Sequence, residues 1–399
     1  MKIGHFSFSP RGGAGKVATT LHQHQIEMGL DSKFFFVTSE NIEQNPLENP
    51  TLTAKAIIDK ILVSRFSNPS IFSFYRSNHH VEKFSKLLEL FDVVHFHWIP
   101  GIFNLEKLEF PTGIGIKYFW SVQDMWPFTG GCHFSGGCKN FLESCVKCPQ
   151  VSIPFKQGVH KKFLARESNL LNIKSNLKII YPSNFVKNLG IQSPMFNDID
   201  FEVIGNPISI NYSIIQPEIS SDHFKILNSK SLKICFVAAN LSEFRKGAKI
   251  LLKWFQDNSE SLRDCTLIFV GNNGDFIKQS FNIMVIPNLT RIEELNYIYS
   301  KVDLNISLSK EETFGYTIVE AGLMGTPSVC FIGTAQSELV IDGTSGYIIN
   351  RLEDLQKIID SIRSNQILNE KIGNLARLEF AKKFSQELIG RRYLDLYEK

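Results

Sequence analysis

The chain has 399 residues, of which 43% are hydrophobic and 21% charged, and its 43 Lys+Arg against 40 Asp+Glu leave a net charge of +3. These values exclude a disordered or collagen-like chain, exceed what one hydrophobic core serves, and give no electrostatic footprint for nucleic acid, so two α/β domains are expected. No apolar run nears the roughly 18 to 20 residues that span a bilayer and the first residues lack a signal-peptide pattern, so a cytoplasmic protein is expected.

Residues 2–8 read as a strand, 9–15 as a glycine-rich turn, 16–29 as a helix and 33–38 as a second strand, one βαβ unit that opens a doubly wound sheet. The basic, aromatic stretch 72–86 reads as a helix packed on its own domain, with peripheral contact to an anionic membrane surface as the alternative. Strands follow at 93–97 and 117–122, each ending in a polar or glycine-bearing loop of the kind that lines ligand sites in open α/β sheets. Two more are expected at 179–182 and 201–204, the latter ending in the turn Gly205-Asn206-Pro207.

Clear periodicity is lost at 209–231, which places the domain boundary there: a first domain over 1–208, a linker over 209–230 and a second domain over 231–380. In the second domain, strands at 232–238, 267–270, 284–286, 304–308 and 328–332 alternate with helices such as 248–255 and 291–299, the pattern of a parallel sheet. The last stretch, 386–398, reads as an amphipathic helix.

Two segments of the second domain carry chemistry. ETFGYTIVEAGLMGTP sets Glu312 and Glu320 with seven residues between them and Gly315 feeding a helix whose N-terminal end favours a diphosphate, while the nearby carboxylates can accept from sugar hydroxyls. Arg245-Lys246-Gly247 follows a strand and precedes a helix, which sets a planar fork and a point charge where phosphate charge would build. Each segment alone also reads as a solvated helix face or an exposed basic loop. In the first domain, Gly12, Gly13 and Gly15 let a loop approach a ligand closely, while neither a Walker motif nor a full dinucleotide fingerprint is present.

Seven cysteines divide into three single ones in or beside apolar segments, Cys235, Cys265 and Cys330, and four crowded together, Cys132, Cys138, Cys145 and Cys148. The four suit a tetrahedral structural zinc site, although only the final Cys-x2-Cys has the usual knuckle spacing; free thiols and two disulfides are the alternatives.

In order along the chain, RGGAGKVA, SVQDMWPFTGGCHFSGGC, YPSNFV, IGNPI, NLSEFRKGAKILL, LSKEETFGYTIVEAGLMGTPSV and QSELVIDGTSGYII resemble the retaining family 4 glycosyltransferases of GT-B fold, glycosyl transferases group 1, of the type that serves bacterial polysaccharide biosynthesis. The resemblance implies two Rossmann-like domains with a cleft between them, and a terminal helix, 381–399, returning towards the first domain. It implies a sugar moved from a UDP- or GDP-sugar to a glycan or lipid-linked oligosaccharide of surface polysaccharide or lipopolysaccharide, at the inner face of the cytoplasmic membrane. No cofactor is then required for catalysis beyond the nucleotide-sugar donor, and zinc enters only as structure.

By the same resemblance Glu320 binds the ribose hydroxyls, Glu312 contacts the donor sugar at the reaction centre, and Phe314, Gly315 and Tyr316 bring backbone amides to the diphosphate. Arg245 and Lys246 neutralise its charge, and the glycine loop lies beside donor phosphate and acceptor. The family places a histidine immediately before Asp124, where this chain has Gln123. An amide cannot shuttle a proton near neutral pH, so either that role is dispensable or His133, His95 or His97 fills it. The alternatives are a sugar-nucleotide epimerase of similar fold and a catalytically weakened glycan-binding or partner subunit.

Overall fold

The computed structural model describes residues 1–36, 72–73, 81–100, 102, 104–111, 115–151, 153–280, 282–287, 289 and 291–399. The expected strand end at 37–38 and residues 74–80 of the basic, aromatic stretch lie outside the described residues. Two compact units are formed, one by Met1–Ile208 with Gln386–Lys399 and the other by Ser209–Ser385.

The first unit is built from β1 (Lys2–Phe6), α1 (Gly12–Glu27), β2 (Asp31–Phe35), α2 (Val81–Leu88), β3 (Val93–Phe96), β4 (Lys117–Ser121), α3 (Ile153–Leu171), β5 (Leu177–Tyr181), α4 (Asn184–Gly190) and β6 (Asp200–Val203). Its six strands run parallel in the order β2-β1-β3-β4-β5-β6. Parallel strands covered on both faces must be apolar on both, and all four residues of β3 are buried. Phenylalanine fills this core, with Phe6 stacked on Phe35 at 4.9 Å and set edge-on to Phe91 at 6.2 Å.

The first helix begins four residues earlier than the sequence suggested, at Gly12, so Gly12 and Gly13 form its exposed first turn. The preceding turn is fixed by Ser9, whose hydroxyl accepts from the Arg11 N–H at 3.0 Å. Gly15 is required by close approach: a Cβ there would lie 2.5 Å from the Ser9 carbonyl oxygen and 2.4 Å from the Pro10 carbonyl carbon.

The second unit comprises α5 (Ser221–Leu227), β7 (Leu232–Asn240), α6 (Ala248–Asp257), β8 (Cys265–Asn272), β9 (Ile283–Ile286), α7 (Ile292–Tyr299), β10 (Leu304–Ser307), α8 (Tyr316–Leu323), β11 (Ser328–Phe331), β12 (Gly346–Ile349), α9 (Asp354–Ser364) and α10 (Gln366–Phe384). Its sheet is again parallel, in the order β12-β11-β10-β7-β8-β9.

The stretch 209–230, which the sequence suggested as a linker, belongs to this unit and is strapped to it. Ser220 caps α5 by accepting from the His223 N–H at 3.2 Å, Leu227 is buried, and the Asn296 side chain donates to the Asn211 and Ser213 carbonyls at 2.8 and 3.0 Å. Such single polar straps leave no periodic signature.

The terminal helix α11 (Gln386–Glu398) belongs to the first unit, while residues 381–384 are the last turn of α10. Tyr393 and Tyr397 are buried; Tyr397 Oη lies 2.5 Å from His95 Nδ1, Tyr393 Oη 3.2 Å from Ser121 Oγ, and Lys117 Nζ donates to the Tyr397 carbonyl at 2.9 Å. Apolar burial and buried polar pairs thus hold the same helix.

Candidate active site

In the second unit β7 runs into a short 3-10 turn, Phe244–Lys246, and Gly247 then starts α6, so Arg245 and Lys246 stand where a strand end meets a helix start. Arg245 Nη1 donates to the Glu311 carbonyl at 2.8 Å and to Glu312 Oε1 at 3.1 Å, and Lys246 Nζ pairs with the same carboxylate oxygen. Arg245 Nε also donates to Glu243 Oε1 at 2.5 Å. Burial alone would raise the Glu312 carboxyl, but Lys246 and Arg245 outweigh it and hold the group below its ordinary range, so Glu312 is ionised near neutrality.

Three residues past Glu312, Gly315 begins α8 with φ of +132°, a conformation that favours glycine. A Cβ at this position would also lie 3.0 Å from Gln336 Cγ and 3.1 Å from Leu339 Cδ1. Phe314 has its ring in the core against Tyr316 and Phe384, at 5.4 and 5.1 Å, so only its backbone is available to a ligand. Glu320 lies in the second turn of α8, largely buried, and its charge helps raise the Tyr299 phenol, whose burial is the larger cause. Glu312, Arg245, Lys246, Phe314, Gly315, Tyr316 and Glu320 thus share the end of the sheet where β7 and β10 finish, the end at which open α/β sheets bind ligands.

Two residues without an assigned role join them. Gln336 is buried, donates through Nε2 to Ser307 Oγ at 2.6 Å, and has an Oε1 with no hydrogen-bond partner. Their only sequence signal was position: Ser307 ends β10, and Gln336 opens the quoted segment QSELVIDGTSGYII.

The first unit gathers Gln123 and Asp124 just past β4. The amides of Gln123 and Asn206 face one another, each nitrogen 3.2 Å from the other's oxygen, which joins the loop after β4 to the turn after β6. Asp124 is buried and fully engaged: Oδ2 lies 2.5 Å from both Trp98 Nε1 and His133 Nδ1, and Oδ1 accepts from the Trp126 N–H at 2.9 Å. His133 in turn has Nε2 2.8 Å from Ser73 Oγ. Among the histidines considered for the missing role, His133 is therefore the one that Asp124 orients.

His95 and His97 are core residues. His5 Nδ1 and His97 Nε2 are 3.0 Å apart, His5 Nε2 lies 2.8 Å from Gln25 Oε1, and His95 Nε2 is 2.8 Å from Ser121 Oγ. Burial is the first cause that lowers all three rings: His5 to about 4, His95 and His97 well below their ordinary range, so all are neutral. Among the described residues, these three form the group whose metal-capable donor atoms all lie within 4.8 Å of one another. They are neutral rings, of which His5 and His97 bond one another while His95 bonds Tyr397 and Ser121, and His97 Nδ1 is their one orphaned atom.

The four cysteines of the loop after β4 are free thiols, and their sulfurs stand further apart than the nitrogens of that histidine group. They are nonetheless neighbours, because burial first and then the adjacent thiols raise the Cys132 thiol well above its ordinary value.

Comparison with known proteins follows these outlines. Residues 219–379 match the protein-family model for Glycosyl transferases group 1. The putative colanic acid biosynthesis glycosyl transferase WcaC of Escherichia coli K12 is 27% identical over 158 residues, 35% of this chain and 37% of that protein, so the matched stretch spans little more than a third of the relative. Solved structures resemble the whole chain. Anabaena HepE, determined in complex with UDP-glucose, has a TM-score of 0.63 at 17% identity with 100% of this chain and 99% of that one covered. WaaG, a glycosyltransferase involved in lipopolysaccharide biosynthesis, has a TM-score of 0.60 at 12% identity with 99% of each chain covered. The fold is GT-B: α/β, with two Rossmann-like units of six parallel strands each. Among the described residues no helix is long and apolar enough to cross a membrane.

Proposed function

We propose that this chain is a retaining glycosyltransferase that moves a hexosyl group from a nucleotide sugar, held by residues 231–380, to a glycan or lipid-linked acceptor held by residues 1–208. The observation that carries the reading is the pairing of Arg245 and Lys246 on Glu312, beside the N-terminal end of α8. Two cations and a helix dipole end suit a departing diphosphate, and fixed charge needs no reorganisation when the leaving group forms. Glu320 takes the ribose hydroxyls, the backbone at Phe314, Gly315 and Tyr316 lies along the diphosphate, and Glu312 meets the sugar at the reacting carbon. The departing phosphate accepts the acceptor's proton, so the step needs no base at Gln123. Gln123 and the first turn of α1, with Gly12, Gly13 and Gly15, line the acceptor side, and Asp124 holds His133 towards it.

UDP is the preferred nucleotide, since HepE was solved with UDP-glucose; GDP is the competitor. The names of WcaC and WaaG support an acceptor from surface polysaccharide or lipopolysaccharide assembly, at the inner face of the cytoplasmic membrane. Catalysis draws on side chains and amides of the chain, and the cysteines of the first unit serve structure.

The test is thermal unfolding of the purified protein with UDP, GDP, ADP or CMP, with Glu320→Ala as control. A nucleotide at about a hundred times Kd adds roughly 2.7 kcal/mol. One nucleotide that stabilises the wild type but not the variant names the base. Donor conversion without acceptor would replace the reading with an epimerase, binding without turnover on any glycan with a binding subunit, and no stabilisation at all would sink it.

A further inference from the structure

The loop after β4 sets hydrogen-bond donors against three of its four sulfurs. The Asn140 N–H donates to Cys138 Sγ at 3.4 Å and the Gly130 N–H to Cys145 Sγ at 3.1 Å. The backbone N–H groups of Gln150 and Val151 face Cys148, while the Thr129 hydroxyl donates to the Cys132 carbonyl oxygen at 2.7 Å. In two of these cases the donor is the amide two residues after the cysteine. A protonated thiol is a weak acceptor and gains little from such company, whereas a thiolate gains a charge-assisted bond from each donor.

The loop also has a buried cation. Arg166 is 2% exposed, reaches the Trp126 carbonyl with Nη1 at 3.4 Å and the Thr129 carbonyl with Nη2, and has Glu106 as its carboxylate at 4.0 Å. Cys145 and Cys132 both lie close enough to act on its charge. A guanidinium near Cys132 and Cys145, together with amide donors at the other sulfurs, is an environment that favours negative charge.

We propose that Cys132, Cys138, Cys145 and Cys148 bind one zinc ion as four thiolates, with the backbone amides and Arg166 offsetting the net negative charge of the complex. The donor set is soft, all-sulfur and four-fold, which selects a closed tetrahedral site with no open position for chemistry. Each thiol gives its proton to solvent as the metal enters, and the sulfurs draw inward from the spacing described above. Left-handed residues turn the chain between the first and second ligands, at Gly136 and Gly137, and again at Ser144 and at the third ligand, Cys145.

The metal would fix more than the loop. Cys132 pairs with Phe72 in an antiparallel bridge, the Ser73 N–H donates to the Gly131 carbonyl at 2.8 Å, and His133 follows Cys132 directly. A bound ion therefore holds the segment that aims His133 at Asp124. This assignment stands apart from the glycosyl-transfer reading and fails or survives separately.

The test begins with the whole protein purified without chelator and examined by native mass spectrometry and elemental analysis. The expected result is one zinc per chain, four thiols that alkylate only after chelation, and a cobalt-exchanged form with thiolate-to-metal charge-transfer bands and tetrahedral visible bands. Cys148→Ser should lower the metal content from one equivalent to below about a tenth, while Cys330→Ser, in the second unit, keeps it. Should Cys148→Ser fail to fold, the wild-type stoichiometry and cobalt spectrum still decide. Less than about a tenth of an equivalent after incubation with zinc, a cobalt spectrum without thiolate bands, or a mass lowered by disulfide hydrogens would overturn the proposal.

Discussion

The buried histidines of the first unit make its stability depend on pH in a calculable way. His5 is held neutral in the folded protein at about 4, chiefly by burial, against an ordinary value of 6.5. Below pH 6.5 the unfolded chain takes up a proton that the folded chain refuses, so the unfolded state binds more protons and stability falls as pH falls. For His5 alone the loss is ~2 kcal/mol at pH 5 and ~3 kcal/mol at pH 4. His95 and His97 add to it with the same sign, because burial lowers both. In a unit of this size ~2 kcal/mol corresponds to roughly 4 to 8 °C in Tm. The comparison is His5→Gln, which keeps a polar side chain beside Gln25 and His97 but cannot titrate. Three of the four tryptophans, Trp98, Trp120 and Trp126, lie in the first unit, so urea titrations followed by tryptophan fluorescence report mainly on it. Between pH 7 and pH 5 the wild type should lose about 2 kcal/mol more than the variant. Equal pH slopes for the two would refute the reasoning, since they would mean that His5 protonates in place.

Gly315→Ala forces a side chain into a left-handed conformation against Gln336 and Leu339; it should cost about 1 to 3 kcal/mol of stability and abolish nucleotide-induced stabilisation, measured together by thermal unfolding. Tyr397→Phe removes the partner of His95 Nδ1 and should cost about 1 to 2 kcal/mol, with faster hydrogen exchange in α11 than in α6 as the readout that separates local loosening from a global effect. Glu312→Gln takes the carboxylate off Arg245 and Lys246, so nucleoside diphosphate should bind as well or better while sugar transfer falls by at least about tenfold; calorimetry and product assay would show both moving down together if Glu312 only held the loop.

What the sequence disclosed follows from how each feature is encoded. Apolar runs such as β3 and β4 announce themselves because both faces of a parallel sheet are buried, and the two-unit plan follows from strand-helix alternation on either side of residue 209. The charged cluster in the second unit was readable because Arg245, Lys246, Glu312 and Glu320 flank glycine at strand and helix ends. Gln336 was not, because its place is set by a hydrogen bond to Ser307 across 29 residues. The start of α1 was misplaced because three glycines read as a turn, whereas the Ser9 hydroxyl and the missing Cβ of Gly15 let them begin the helix. β12 did not stand out because only its first and last residues, Gly346 and Ile349, are buried, and the first of them is a glycine.

The two acidic residues at the heart of the argument differ in what surrounds them, and that difference divides their roles. Asp124 accepts from two indole or backbone N–H groups and sits against an imidazole, all from its own unit, so its charge is spent within the fold and a ligand would have to break those bonds to use it. Its work is to hold His133 and the loop that follows. Glu312 is also paired, but its partners are two side-chain cations that a diphosphate would attract more strongly than a single carboxylate does, through two charges instead of one. Under the proposed function, Glu312 keeps Arg245 and Lys246 ordered before a ligand arrives, and the two cations then turn to the phosphates and leave Glu312 facing the sugar. The ion pairs there serve preorganisation more than stability, in keeping with the modest net worth of partly exposed pairs.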